Sequence, residues 1–239
     1  MARISRKELK KDEFVQEVSH TVAYFQQHRN QTTVVSVALG ALLVLTVGGY
    51  FLWDKRNADA SDSLSRAMRT LHAPVLLPGV PPPPGSNEKV FTSEKEKYSA
   101  ALKEYQAIAD SYSLLRQGAV ARYYVGLCQL GLGNSAEGEK ELGALAAGRD
   151  EQVGSLARFA LASSQAAAGK TDEAEKNFRY LAEHPTSEVA RSSALMSLAA
   201  VLRATKPAEA EKIYRELEVQ RVSPQLSDMA KRQLAELRQ

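Results

Sequence analysis

The residue types that usually perform catalysis are few and scattered in this chain of 239 residues. Its histidines stand far apart, without the cysteines or carboxylates that would complete a set of metal ligands. They are His20, His28, His72 and His184. Cys128 is alone, which excludes an internal disulfide and is typical of a small buried apolar residue. We therefore expect no metal site, no cofactor and no catalysis.

Acidic pairs and glycines that could suggest chemistry have structural explanations. Asp172-Glu173 falls where a helix is predicted to begin, and negative charge is favoured at the positive end of a helix. Gly131 and Gly133 lack the spacing of a nucleotide-binding loop and fit a turn between helices. From residue 54 onward the chain has 25 basic and 24 acidic residues, without the excess of positive charge typical of nucleic-acid binders. An active site assembled across several helices stays open as an alternative.

A pattern of one small, one large and one aliphatic residue recurs in the second half of the chain. Successive occurrences are offset by 37, 36 and 36 residues. A small residue lets a neighbouring backbone approach, and a large one fills the gap one helical turn later. The spacing therefore predicts repeated helix pairs that hide their apolar faces against one another. The four series are Ala101, Tyr105 and Ile108; Gly138, Leu142 and Leu145; Ala174, Phe178 and Leu181; and Ala210, Tyr214 and Leu217.

Turn residues separate the predicted helices. The pattern-bearing helices follow Gly133-Asn134, Gly169-Lys170 and Lys206-Pro207. Their partner helices are predicted over residues 117–132, 151–168 and 187–204, after a first pair over residues 58–72 and 93–111. Pro224 opens a predicted cap helix at the end of the stack.

Residues 169–178 resemble the B-helix signature of tetratricopeptide repeats: a glycine, then a small residue, then a large one. Gly126 stands where the A helix of that family carries a glycine. Other residues occupy the family's tryptophan position, namely Arg122, Arg158 and Ala194. The resemblance implies an all-α fold in which residues 54–239 form a tetratricopeptide-like α-solenoid of about four helix pairs plus a C-terminal cap helix.

In such solenoids the A helices line the concave face. Six of their positions in this chain are candidates for a partner groove, mildly apolar and suited to an extended or helical peptide. The alternative is that several of them only pack against the neighbouring repeat. The candidates are Tyr123, Leu127, Phe159, Ser163, Leu195 and Ala199.

Residues 34–53 form a stretch of 20 residues without a charge. A helix of this length spans about 30 Å, the thickness of the hydrocarbon core of a bilayer. Tyr50 and Trp53 lie at its far end, where aromatic rings favour the membrane interface. We predict a single transmembrane helix. A cleaved signal peptide, ending near Ala58-Asp59-Ala60, is the weaker alternative because the polar segment before the stretch is 33 residues long.

Two segments outside the repeats carry their own signals. Residues 1–33 have six basic residues against four in residues 54–73, which favours a cytoplasmic N-terminal tail. Phe14, Val18, Val22 and Phe25 form one apolar stripe, either for the membrane surface or a partner, or simply leading into the anchor. Residues 74–92 form a proline-rich insertion, either a ligand for an aromatic groove or a stiff surface loop.

This architecture resembles the ancillary SecYEG translocon subunit family (YfgM-like proteins). The resemblance covers nearly the whole chain but rests on architecture and scattered residues around 20–70, without a diagnostic motif. It implies a bacterial inner membrane, a cytoplasmic N-terminus and a periplasmic repeat domain. It also implies contact with translocon subunits, periplasmic chaperones or exported clients. Two alternatives stay open: an envelope assembly or division scaffold unconnected with export, and a membrane adaptor with cytoplasmic repeats.

Overall fold

The computed structural model describes residues 29–76, 89–220 and 224–237, and these form nine α-helices and no β-strand. The chain divides into two compact units, Met1–Arg56 and Asn57–Gln239. The expected stripe in residues 14–25, with His20 and His28, and the prolines of residues 78–84 lie outside the described residues. The helices are α1 (Arg29–Leu71), α2 (Glu94–Ser111), α3 (Arg116–Gly131), α4 (Ser135–Ala146), α5 (Glu151–Ala167), α6 (Thr171–Glu183), α7 (Arg191–Leu202), α8 (Pro207–Gln220) and α9 (Pro224–Leu237).

The first part of α1 is an apolar surface that the protein does not cover. The large apolar side chains of residues 34–53 that are exposed lie between 47% and 73% exposed. Soluble proteins rarely leave so large a continuous apolar surface in water. This is the one helix of the described residues that is long and apolar enough to cross a membrane.

The second part of α1 belongs to the unit that begins at Asn57, so the helix predicted over residues 58–72 is confirmed as a continuation of the apolar stretch. This second part of α1 packs on α2 and α3 through the side chain of Ala67. Burying the small Ala67 lets large side chains from the other helices pack over it. The fully or largely buried members of this cluster are Ala67, Ala101, Tyr105, Ile108, Ala109, Ala121, Val125 and Cys128.

From α2 onward each helix packs on the next along the chain, and α5 also contacts both α3 and α7. The repeated small, large and aliphatic residues are the reason. Of the twelve positions in the pattern, eleven are buried and Leu145 is half-buried. The prediction of helix pairs that bury this pattern against their neighbours is confirmed, and the fold of this unit is a helical repeat.

Two glycine turns join helices at equivalent places. Gly133 has a φ of 85° and Gly169 a φ of 75°, a left-handed conformation that only glycine adopts at little cost. At the first turn the N–H of Gly133 donates to the carbonyl of Leu130 at 3.0 Å and that of Asn134 to Gln129 at 2.9 Å. The second turn repeats this bonding, which satisfies the last carbonyls of the preceding helix. Both predicted turns are confirmed.

The helix predicted over residues 187–204 is shorter than expected, because α7 begins at Arg191 and ends at Leu202. Thr186 explains the late start. Its hydroxyl accepts from the N–H of Val189 at 3.1 Å, and its own N–H donates to the carbonyl of Val189 at 3.0 Å. These bonds fold the segment into a closed turn that competes with helix.

The proline-rich insertion is closed at its base. The N–H of Leu76 donates to the carbonyl of Phe91 at 2.9 Å, and the N–H of Phe91 donates to that of Pro74 at 3.2 Å. Phe91 is buried, and Lys89 forms an ion pair with Glu104 of α2 at 2.6 Å. Both ends of the insertion are thus fixed to the repeat unit.

Gly118, in the first turn of α3, lies close to the backbone of the segment that joins α2 and α3. A Cβ atom at this position would lie 2.2 Å from the carbonyl oxygen of Tyr112, far inside contact distance. A Cβ on Gly143 of α4 would meet nothing closer than 4.0 Å. The turn between α2 and α3 therefore requires a glycine, whereas α4 does not.

We predict that Gly118→Ala lowers the free energy of unfolding by about 2–4 kcal/mol because backbone atoms must move. Gly143→Ala is the matched control and should raise it by up to about 1 kcal/mol, since alanine favours helix. Urea unfolding of the full chain in detergent, followed by circular dichroism, measures both. If Gly118→Ala and Gly143→Ala changed the free energy of unfolding equally, the requirement for a glycine at position 118 would be refuted.

Candidate protein-interaction surface

Two helices, α3 and α5, carry four of the six residues predicted to form a groove. Tyr123, Leu127 and Phe159 are half-buried and Ser163 is exposed. The two helices are in contact. We refer to the accessible parts of these four side chains as the α3–α5 surface.

Tyr123 is held in place by other aromatic rings. Its ring meets that of Tyr124 edge-on at 5.2 Å, and Tyr124 stacks on the buried Tyr105 at 4.8 Å. Burial and, to a smaller extent, the neighbouring Tyr124 raise the pKa of the Tyr123 phenol. Tyr123 is therefore a neutral, positioned aromatic side chain, the type that is enriched in protein interfaces.

Phe159 has a double role. It packs edge-on against the core residue Phe178, with 5.4 Å between ring centroids, and one of its edges stays accessible. One turn later, the hydroxyl of Ser163 donates to the carbonyl of Phe159 at 2.9 Å. Part of Phe159 thus serves packing between helices, the alternative that the sequence left open.

The two groove candidates on α7 are in different surroundings. Ala199 is fully buried and packs in the core, so the expectation that it lines an open groove is corrected. The cause is that α7 contacts both α6 and α8, and a small residue at this position lets neighbouring helices approach closely. Leu195 is 6% exposed and forms part of the floor of a crevice.

That crevice has a volume of about 450 Å³ and lies between α6, α7 and the segment joining them. Leu195, Leu198 and Ala182 supply apolar surface, and Pro185 lines it from the joining segment. Arg179 and Arg191 stand at its rim, each paired with carboxylates of other residues. The crevice can accept an apolar side chain between neutralised charges. The sequence pattern did not point to it, because it depends on where α7 begins.

Glu175 is the centre of a charge network beside the crevice. It is buried, and its carboxylate accepts from Lys206 at 2.7 and 2.9 Å and from Arg179 at 2.9 Å. Arg179 also reaches Glu209 of α8 at 2.6 Å. These hydrogen bonds, first that from Lys206, lower the pKa of Glu175 against the opposing effect of burial. The network links α6 to Lys206, the residue before α8, and to Glu209 in the first turn of α8.

The same ion pair occurs one repeat earlier, where Lys170 contacts Glu139 at 2.7 Å. Glu139 and Glu175 differ by 36 positions, as do Lys170 and Lys206. This spacing is visible in the sequence, but the pair was not predicted because the apolar pattern contains no charged residue. The repeated pair links each glycine or proline turn to the pattern-bearing helix of the preceding repeat, α4 in the first case and α6 in the second.

A smaller pocket of about 190 Å³ lies where α5 begins. Arg158 lies over the ring of Tyr180 at 4.1 Å and donates to Asn177 at 3.0 Å and to the carbonyl of Ala146 at 2.9 Å. Tyr180 in turn stacks on His184 at 4.3 Å. The contacts of Arg158 join α5 to residues of α4 and α6. We therefore interpret the pocket as a place where three helices pack together.

Groups with reactive chemistry are not brought together in the described parts of the chain. Among residues 29–76, 89–220 and 224–237, no three His, Cys, Asp or Glu side chains are placed to hold a metal ion. Cys128 is fully buried, and burial raises the pKa of its thiol to about 11, which keeps it protonated at neutral pH.

No protein-family model, no curated protein and no solved structure matches this chain.

We predict that Glu175→Gln lowers the free energy of unfolding by about 1–2 kcal/mol at pH 7, because two cations lose their charged partner. Glu211→Gln, one repeat later and paired with Arg215 at the surface, should change it by less than about 0.5 kcal/mol. Thermal unfolding of the full chain in detergent measures both values.

The effect of Glu175 should depend on pH. Because the folded protein lowers its pKa, the stabilisation is complete above the ordinary value of 4.5 and is lost as the pH falls through the folded value. The unfolding curves of Glu175→Gln and the wild type should therefore converge in acid. A difference that stays constant over the whole acid range in which the protein remains folded would refute the charge network as its cause.

Proposed function

We propose that this protein is a membrane-anchored scaffold that binds other proteins through a tetratricopeptide-like α-solenoid and catalyses no reaction. The observation that carries the proposal is the charge-free apolar part of α1, none of it buried by the protein, in a chain whose remaining helices pack in a helical repeat. In lipid, unlike in water, exposing that apolar surface carries no free-energy penalty. A repeat stack offers extended surface for binding partners.

Several features support the solenoid. The burial pattern recurs at 36 residues, the glycine turns repeat their hydrogen bonds, and the α3–α5 and α5–α7 contacts place alternate helices side by side. The outer face of α9 carries Gln225, Asp228 and Arg232, which suits a helix that ends a stack in water.

For the partner, we propose the SecYEG translocon, with periplasmic chaperones or exported clients bound by the repeats. The resemblance to ancillary translocon subunits supports this choice, together with the single anchor placed before the repeats. The corresponding location is the inner membrane, with the N-terminus in the cytoplasm and the repeats in the periplasm. The greater number of basic residues before the anchor supports this orientation.

The α3–α5 surface is the place where we expect a partner to bind. A photoreactive benzophenone amino acid replacing Leu127 should crosslink discrete proteins in native membranes, translocon subunits among them. The same group replacing Lys140, a residue of α4, is the matched control and should give few products. Identical crosslinking patterns at the two positions would overturn the assignment of the surface.

Topology is tested in the same cells. Protease added to bacterial spheroplasts should digest the repeat unit while the N-terminal tail survives. Protection of the repeats would refute the periplasmic location and favour a cytoplasmic adaptor. If the repeats are digested but crosslinks form only to envelope assembly or division proteins, the translocon is refuted as the partner. The proposal of a membrane-anchored scaffold would then still stand.

A further inference from the structure

The turn between α2 and α3 presents an apolar side chain to the outside. Leu114 is 91% exposed, more than any other large apolar residue described, including those of the apolar part of α1. The neighbouring Leu115 is buried, and its N–H donates to the carbonyl of Tyr112 at 2.9 Å. A buried residue and a closed turn thus hold Leu114 outward, so its exposure is built into the fold.

This turn lies at the end of the repeat unit where the unit begins. Gln117, three residues after Leu114, donates through its side-chain nitrogen to Asn57 and to Ser61, both at 2.9 Å. Asn57 is the first residue of the unit. The turn is therefore fixed next to the first residues of the repeat unit.

Other contacts extend this end of the unit. Arg116 reaches Asp150 at 3.5 Å and also bonds Gln152, whose side-chain nitrogen donates to Ser187 at 3.3 Å. The starts of α3 and α5 and the segment before α7 thus lie along one edge. Polar side chains hold this edge together, and Leu114 projects from it.

A second exposed apolar residue is on the same edge. Arg191, at the start of α7, pairs with Glu216 near the end of α8 at 2.9 Å. Val219 follows three residues later and is 79% exposed. The two most exposed large apolar side chains of the repeat unit, among its described residues, are therefore both on the edge where its chain begins.

The chain itself limits how far this edge can be from lipid. Three residues separate Trp53, at the end of the charge-free stretch, from Asn57. Even a fully extended chain covers no more than about 14 Å over that distance. If residues 34–53 cross the bilayer, Asn57 stays near the headgroups in every conformation of the connection.

We propose that the α2–α3 turn is a second membrane contact, in which Leu114 inserts into the interfacial layer of the bilayer. The partner is the lipid surface, and the contact limits the motion of the repeat unit over the membrane. Apolar side chains at such a contact lie roughly 5–10 Å into the boundary between headgroups and acyl chains. The inference rests on the proposed membrane anchor.

The test places an environment-sensitive nitrobenzoxadiazole label on Leu114→Cys in the full chain. The protein is reconstituted in vesicles of phosphatidylcholine and phosphatidylglycerol that contain a doxyl-labelled quencher lipid. The native Cys128 is buried and protonated at neutral pH, so it should not react, which labelling of the wild type verifies. Leu114 makes little contact with the protein, so its replacement should leave the fold intact.

Ser135→Cys is the matched control. Ser135 is exposed and lies beyond the other end of α3, a helix of 16 residues and hence about 24 Å long. We expect the Leu114→Cys label to be quenched at least about twofold more strongly than the Ser135→Cys label, with emission shifted to the blue. Equal quenching at the two positions overturns the proposal.

A third label, on Leu43→Cys in the apolar part of α1, separates this inference from the anchor itself. If the label at Leu43→Cys is strongly quenched and the label at Leu114→Cys is not, the membrane contact of the α2–α3 turn is refuted. The proposed membrane anchor would then still stand. Absence of quenching at Leu43 refutes the anchor, and the second contact with it.

Discussion

The close approach of helices at small residues is the interaction on which the repeat unit depends. No helix pair in the described part of this unit can cover its own apolar face, so each must be covered by the next. Ala101, Ala174 and Ala210 are fully buried at equivalent positions, and each is followed one turn later by a fully or almost fully buried aromatic ring. A larger residue at the first position would separate the helices and expose the second. The same constraint explains why Ala199 is buried between helices although it stands on the face expected to be open.

A sequence with a repeat of this kind predicts its helices well and its surfaces less well. The apolar pattern and the glycine turns are local signals; they located α2, α3 and α5 within one residue and placed the turns that precede α4 and α6. The start of α7 depends on one hydroxyl, that of Thr186, whose preference for a closed turn does not appear in apolar periodicity. The crevice beside Leu195 depends on that start, and so it could not be predicted either. The burial of Glu175 was missed because Lys206 reaches it only after the helices have packed, although Arg179 lies one turn along the same helix.

In the proposed topology, two different solvents act on one chain. There the apolar part of α1 lies in lipid, where a helix is stable because all its backbone hydrogen bonds are internal. The repeat unit is stable in water because its apolar residues face one another and its ion pairs lie at the boundary between repeats. Aromatic residues occur in both parts of the chain: Tyr50 and Trp53 are exposed on the apolar part of α1, whereas Tyr105, Phe178 and Tyr214 are buried in the repeat unit. Tyr105 and Tyr214 bury hydroxyls that have no hydrogen-bond partner among the described residues, at the position where Leu142 and Phe178 stand in the two intervening repeats.

Hydrogen–deuterium exchange of the full chain in lipid nanodiscs tests whether one chain combines a lipid-buried helix with a packed helical repeat, because it reports both in one measurement. We expect very slow exchange over residues 36–52, slow exchange in α2 to α8, and fast exchange at residues 132–134, 168–170 and 203–206 between them. Exchange over residues 36–52 as fast as in those turns, or uniform exchange without the 36-residue alternation, would contradict it.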